Sequence, residues 1–275
     1  KNITVITSED IQEKGYNNVE EILRRAPGVN FVNNNFGNIT DIRGQGPEKA
    51  SGRVKILVDG VPMNILDLSH ALVPINTVAV EDIEKIEIIN GGGSVLYGNG
   101  TAGGVVNIIT KKGRKEGASG KAYYQNSSYN TNKLGFSTGL NLNNKLTLDL
   151  GYENINGRGY RENDKTSSEF LKGGLIYNIT DNQSLKFKAT RYNEEYRESS
   201  GITAAQLAHN RKQRGETLTF GDVVRKEYSL EYNVKPTENF ELSILGYKQK
   251  MKREYDQKDS ETDTDGLFQE KQVQD

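Results

Sequence analysis

Three hairpins between residues 133 and 244 alternate residue by residue, and that period limits the fold more than any other feature. In KLGFSTGLNLNNKLTLDLGYEN, Leu134, Phe136, Leu140 and Leu142 share one face. Asn143 and Asn144 turn the chain, and Leu146, Leu148, Leu150 and Tyr152 repeat the pattern. A side-chain period of two belongs to a strand with one apolar face. A second hairpin carries Leu171, Leu175 and Tyr177, a turn at 180–183, then Leu185, Phe187 and Ala189. A third carries Tyr228, Leu230, Tyr232 and Val234, a turn at 235–239, then Phe240, Leu242 and Ile244. The opposite positions hold Lys, Asp, Asn, Ser, Glu and Gly. The turns within hairpins are short, whereas the connections at 155–168, 199–222 and from 253 onward are long and charged. Short turns at one end and long polar loops at the other are the pattern of an outer-membrane β-barrel, apolar toward lipid and polar toward its lumen. A soluble antiparallel sheet shares the alternation, and one hairpin would not separate the two. Three hairpins with a regular loop asymmetry favour the barrel.

Composition agrees with strands as the only route across a membrane. No run of about 18 apolar residues exists, so no spanning helix is expected, but a tilted strand needs only about 9–11 residues. The formal net charge of −1 gives a nucleic-acid partner no electrostatic support. Without cysteine, and with two histidines far apart, neither a disulfide framework nor a metal site is expected, and no cofactor. A start at Lys1 without a signal peptide reads as a mature or trimmed chain, or a cytosolic one.

Before Gly113 the texture is that of a small α/β unit. Residues 1–6 alternate like a strand. Thr7 or Ser8 can cap a first helix and Asn18 a second one through Arg25, which Pro27-Gly28 stops. VKILVDGVPM reads as a hairpin about Asp59-Gly60. VEDIEKIEII reads as a short helical turn from Val80 and a strand through Ile89. The stretch NGGGSVLYGNGTAGGVVNIITKKG contains a literal G-x-G-x-x-G at Gly98, Gly100 and Gly103. A dinucleotide loop needs a helix after its glycines. Val105, Val106, Ile108, Ile109 and Thr110 are β-branched and favour a strand instead. No acidic residue follows at the spacing of a ribose partner. Nor is a nucleophile–base pair apparent: Ser94, Ser69 and His70 lack a third member, so no enzyme is expected.

The stretches ITVITSEDIQEKGYNNVEEILRRAPGV, DIRGQGP, VKILVDGVPMN and VEDIEKIEIINGGGSVLYGNGTAGGVVNIITKKG, in that order and spacing, resemble the plug domain of TonB-dependent outer-membrane receptors. The resemblance covers residues 1–113, and residues 114–275 look like the first strands of that family's barrel. It implies an α+β plug domain followed by antiparallel transmembrane strands. About seven strands are expected, one of them weak (121–129), whereas the family's barrel has about 22 strands around a plugged lumen. The chain is therefore expected to be the N-terminal portion of a longer receptor. The segment that contacts TonB lies upstream in the family, and nothing here resembles it.

The resemblance implies TonB-energised uptake of a scarce ligand across the outer membrane of a Gram-negative-type bacterium. A ferric siderophore or related iron complex is expected first; haem, cobalamin and a passive binding or adhesion role are alternatives. Partners would be TonB, the iron complex and outer-membrane lipids. Gly44, Gly46, Gly98, Gly100, Gly103 and Gly104 would be packing and turn residues. Arg43 in DIRGQG would be buried and paired, either with a barrel carboxylate or inside the plug. Asn90 departs from the family, which commonly has Arg-Gly-Pro at this point, so a plug–barrel ionic lock would be at most half complete. Asn34, Asn35 and Phe36 offer amides and one aromatic ring to a polar ligand. Asn64 and His70 lie in a second candidate loop, where His70 is the plug's single imidazole. Asn-rich loops are also turn formers, and a lone loop histidine is commonly just solvated. The long loops place Tyr160, Arg161, His209 and Arg211 outside the membrane.

Overall fold

In the computed structural model the structure describes residues 3–34, 37–46, 52–63, 73, 75–91, 97–111, 117–259 and 268–274. The chain divides into two compact units, Lys1–Lys112 and Gly113–Asp275.

The first unit begins with β1 (Ile3–Thr7) and α1 (Ser8–Lys14). Thr7 Oγ1 accepts from the Asp10 backbone N–H at 3.3 Å, and the Asp10 carboxylate accepts from the Thr7 N–H at 3.0 Å. This reciprocal pair satisfies two donors that a helix start leaves open. The Thr7 backbone N–H holds the Asp10 carboxyl below its ordinary range. Gly15 ends the helix in the left-handed region at φ 62. Asn18 caps α2 (Val19–Leu23) through a 2.9 Å bond from Glu21 N. The helix stops short of Arg25. The N–H groups of Arg25 and Ala26 bond Ile22 O and Leu23 O at 3.2 and 3.0 Å, a three-residue spacing that tightens the last turn before Pro27.

β2 (Val29–Asn34) and β3 (Gly37–Ile42) pair as a hairpin. β4 (Val54–Val58), β5 (Val61–Pro62), β6 (Ile83–Ile89) and β7 (Gly104–Thr110) join β1 in a sheet of order β1-β6-β7-β4-β5. Only β4 and β7 run parallel in it. A single 3-10 turn, Val80–Asp82, precedes β6. Asp59 sits at φ 49 in the β4–β5 turn, and its carboxylate takes the Thr110 N–H and hydroxyl at 2.9 and 2.6 Å. Ile11, Val19, Ile22, Leu23, Ile56, Ile86, Ile88, Val105, Val106 and Ile108 are buried, so both helices and the inner strands supply the core. A strand follows Gly104, as the β-branched run predicts, and the helix that a dinucleotide loop requires is not there.

The second unit is an antiparallel meander, each strand paired to the next in sequence: β8 (Gly117–Ser127), β9 (Thr131–Leu142), β10 (Leu146–Gly157), β11 (Lys165–Thr180), β12 (Gln183–Ser199), β13 (Leu218–Thr237), β14 (Phe240–Lys258) and β15 (Phe268–Gln274). β8–β14 are the seven strands expected, and β15 adds an eighth. Registers line the apolar residues up across strands. Leu142, Leu146 and Tyr177 form one row, then Leu140, Leu148 and Leu175, then Thr138, Leu150 and Gly173, then Phe136, Tyr152 and Leu171. The same row order continues through Leu185, Phe187, Tyr232, Leu230, Leu242 and Ile244. Most of these side chains are exposed, Leu150 at 56% and Ile244 at 57%, and Leu146, Tyr152, Leu175, Leu185 and Tyr232 are half-buried. The buried positions of the sheet include Lys133, Thr147, Glu153, Lys172, Arg225, Glu227 and Arg253 on the opposite face. A sheet that exposes leucine and buries charge is inverted relative to a soluble protein, and a lipid solvent explains the inversion.

The charged segments at 155–168, 199–222 and beyond 253 are not all loop. β10 runs to Gly157 and β11 starts at Lys165; β13 starts at Leu218 and β14 reaches Lys258. These strands keep their ladder bonds while both faces turn polar. β13 and β14 have 20 and 19 residues, about twice the 9–11 needed to cross a bilayer. The longest connection, 200–217, contains a one-turn helix, α3 (Ala204–His209), capped by Thr203.

Candidate functional site

Three glycine-bearing stretches of the first unit converge on one turn. In DIRGQG the buried Asp41 is the organiser. Its Oδ1 accepts from Gln45 N at 2.9 Å and its Oδ2 from Gly46 N at 3.0 Å. The turn between them uses the left-handed region at Arg43 (φ 71), Gly44 (φ 66) and Gly46 (φ 83). Its residues lie on the other glycines. A Cβ on Gly103 would meet Gln45 Nε2 at 2.1 Å, one on Gly104 would meet Ile42 Cδ1 and Ile89 O at 2.8 Å, and one on Gly91 would meet Arg43 Nη1 at 2.9 Å. Gly98 and Gly100, at φ 73 and 79, turn the chain ahead of this contact. Close backbone approach is what glycine permits here, and no phosphate is needed to explain it. Gly104 also sits at φ 155. Gly104→Ala is expected to destabilise the first unit by about 1–3 kcal/mol, because a Cβ would add backbone strain to a collision; urea unfolding of the full-length protein measures it.

Arg43 is exposed, which corrects the expectation of substantial burial. The cause is the turn itself: a left-handed residue tied through its N–H to Gly28 O at 3.1 Å projects its long side chain across the surface over Gly91. Nearby, the Asn90 Oδ1 is buried and has no hydrogen-bond partner among the described residues. Asn35, Phe36, Asn64 and His70 lie outside the described residues, as do Ser69 and Ser94. Asn34 is described only as the backbone partner of Gly37 at the tip of β2.

In the second unit the polar face carries a ladder of ion pairs. Lys172 pairs with Asp149 at 3.6 Å, Lys186 with Glu231 at 3.3 Å and Lys188 with Glu227 at 3.2 Å. Arg225 also pairs with Glu227, and its Nε donates to Gln249 Oε1 at 2.8 Å. Toward the long-loop end the same face becomes aromatic. Tyr192 stands opposite Arg225, Tyr196 and Tyr255 stand on either side of Gly221, and Arg253 stands opposite Val223. The Tyr196 ring covers Gly221, where a Cβ would come within 2.1 Å of it. The Arg253 guanidinium lies 5.7 Å from the Tyr255 ring centre. Glu194, opposite Val223, stands between Tyr192 and Tyr196 on this face, and Arg225 is engaged by Glu227 and Gln249, so what the group offers a ligand is aromatic stacking beside the Arg253 guanidinium. Sequence reasoning missed this group, because both faces are polar at this end of the strands and only the register of β12, β13 and β14 brings the residues together.

The long loops pack on one another. Arg161 Nη1 donates to Ser200 O at 2.8 Å, Glu162 N donates to Lys212 O at 2.7 Å, and Tyr160 meets Tyr129 edge-on at 5.7 Å. They border a half-open cleft of about 770 Å³ lined in part by Arg158, Tyr160, Arg161, Asp164, Arg197 and Lys212. His209 lies exposed at the end of α3.

The family model of the TonB-dependent receptor plug domain matches residues 1–105. The chain is 32% identical over 223 residues to a ferric enterobactin receptor of Pseudomonas aeruginosa, covering 74% of this chain and 29% of that protein. The chain belongs to the TonB-dependent receptors. A probable TonB-dependent siderophore receptor, PirA of Acinetobacter baumannii, is 35% identical over 184 residues, 61% of this chain and 23% of the relative. Among solved structures, the ferric citrate transporter FecA in its unliganded form matches with a TM-score of 0.78 at 25% identity, over 94% of this chain and 41% of that one. The ferric-catecholate import receptor Fiu of E. coli shares the fold at a TM-score of 0.74 and 16% identity, over 93% of this chain and 37% of that one. This TonB-dependent receptor chain thus spans less than a third of the curated relatives it matches, 29% and 30% of the two ferric enterobactin receptors. The family is one of receptors and transporters, not of enzymes.

Proposed function

We propose that this chain works within an outer-membrane receptor that takes up a ferric siderophore, or a similar iron complex, with energy delivered through TonB. The observation that carries the ligand class is the upper polar face of the second unit, where Tyr192, Tyr196 and Tyr255 stand beside Arg225 and Arg253. An iron complex of anionic oxygen ligands presents the negative charge, and often the rings, that such a face binds. Relatives named for ferric enterobactin support the same class. In this reading residues 1–113 serve as the plug and 114–275 as part of the barrel wall. Asn34, Asn35, Phe36 and Asn64 contribute from the plug side, and Arg43, exposed on its turn, meets a barrel carboxylate. The apolar band contacts outer-membrane lipid.

The test uses the full-length receptor and a panel of ferric siderophores, haem and cobalamin. A ferric complex is expected to bind, with Phe36→Ala weakening it about tenfold, equivalent to about 1.4 kcal/mol, and His70→Ala leaving it unchanged. Selective haem binding that disappears in His70→Ala would reject the siderophore reading. Binding with no uptake difference between TonB-positive and TonB-negative cells would point to passive adhesion.

A further inference from the structure

A carboxylate stands inside the aromatic group of the second unit. Glu194 lies on the polar face of β12, one same-face step from Tyr192 and one from Tyr196, opposite Ser168 of β11 and Val223 of β13. It is half-buried. Its level lies outside the hydrocarbon, because on the outward face Glu195, Asp222 and Glu254 stand side by side there, and lipid does not tolerate three adjacent carboxylates.

The groups around Glu194 leave its charge poorly compensated. β12 itself supplies the Tyr192 and Tyr196 hydroxyls and a second carboxylate, Glu198. β11 supplies only uncharged neighbours, Thr166, Ser168 and Phe170, of which the Thr166 hydroxyl donates to Glu194 Oε1 at 3.4 Å. β13 supplies Val223 and Gly221, while its Arg225 is engaged by Glu227 and Gln249. On β14, Arg253 lies beyond Val223 and against the Tyr255 ring. On β10, Glu153 lies beyond Phe170 and accepts from the Tyr123 hydroxyl at 2.8 Å. The direct contacts of Glu194 among the described residues are with the Thr166 and Tyr192 hydroxyls, and no cation pairs with it. Burial pushes its carboxyl up to about 7; the Tyr192 hydroxyl pulls against this, Glu198 adds to it, and Thr166 and the more distant Arg253 weaken it.

A proton at this position changes what the group presents. As a carboxylate, Glu194 takes up the Tyr192 and Thr166 hydroxyl hydrogens and repels an anion. As a carboxylic acid it carries no charge, gains an O–H donor and frees both hydroxyls to donate elsewhere. We propose that Glu194 is a proton-controlled selector: it admits an anionic, oxygen-rich iron complex to the aromatic group when protonated and repels it when ionised. The inference rests on the ligand reading of this face and adds to it a dependence of affinity on external pH. Affinity is highest in mild acid and falls as pH rises through neutrality.

The experiment measures binding of ferric enterobactin and of ferric citrate, both anionic, to the full-length receptor by calorimetry between about pH 6 and about pH 8. A single group with its midpoint at about 7 is protonated about ten times more often at the lower pH, so the wild type is expected to bind its preferred complex about tenfold more weakly at the higher one. Glu194→Gln, fixed in the uncharged form, is expected to lose that slope and to bind about tenfold more tightly than the wild type at about pH 8. Glu194→Asp should keep a slope. Infrared difference spectra give a second reading without ligand: the carboxylic C=O band that Glu194→Gln removes should titrate near neutrality. Heat-modifiable electrophoretic mobility reports whether each variant is folded. A folded Glu194→Gln receptor with the pH profile of the wild type would overturn the proposal. A wild-type affinity that does not change across this range, or a band that titrates below about pH 5, would overturn it as well. Failure of the wild type to bind either complex at any pH would sink the iron-complex reading, and the selector with it.

Discussion

Leu150→Arg is expected to destabilise the full-length receptor in lipid vesicles by about 2–4 kcal/mol, and Leu134→Arg by only about 0–1 kcal/mol. Both leucines are exposed, at 56% and 55%, and both lie on the same face. Their depth differs. Leu150 occupies the middle of the band, in register with Thr138 and Gly173, with apolar rows on both sides. Leu134 lies at its upper edge, beside Tyr124 and opposite Asn154, where the long arginine side chain reaches the headgroups. The cost of a cation in hydrocarbon depends on that depth, whereas a soluble sheet has no such gradient. Urea unfolding in vesicles checks the pair, and equal costs at the two positions would reject a lipid-facing band.

The second large effect concerns the buried Asp41. Asp41→Ala removes a carboxylate that holds two backbone donors, and bonds to charged groups contribute about 1.5–3 kcal/mol each, so a loss of about 2–4 kcal/mol is expected after partial rehydration of the freed N–H groups. Asp41→Asn keeps one good acceptor and should lose about half as much. The consequence reaches further than the turn, because Ile42, Arg43 and Gln45 are the residues that cover Gly104, Gly91 and Gly103. Amide hydrogen exchange should therefore quicken at the start of β7 as well as at Gln45 and Gly46. Faster exchange at the turn alone would show that the glycine contact does not depend on it.

The period of two by itself determined most of the second unit. It identified the strands, their lipid-facing leucines and the short turns, because lipid and lumen impose opposite polarity on alternate side chains. Above the band that contrast disappears. Where both faces meet polar surroundings, as at Lys165–Glu169 and Thr219–Arg225, alternation carries no signal, so strands read as charged loops until backbone pairing extended them. In the first unit, local chemistry located the Asn18 cap and the strand after Gly104 and narrowed the first cap to Thr7 or Ser8, of which Thr7 is the one used. The partner of each glycine was beyond it. Gly103 and Gly104 are needed because Gln45 and Ile42, far away in sequence, are pressed against them, and contacts between distant segments leave no periodicity in either one.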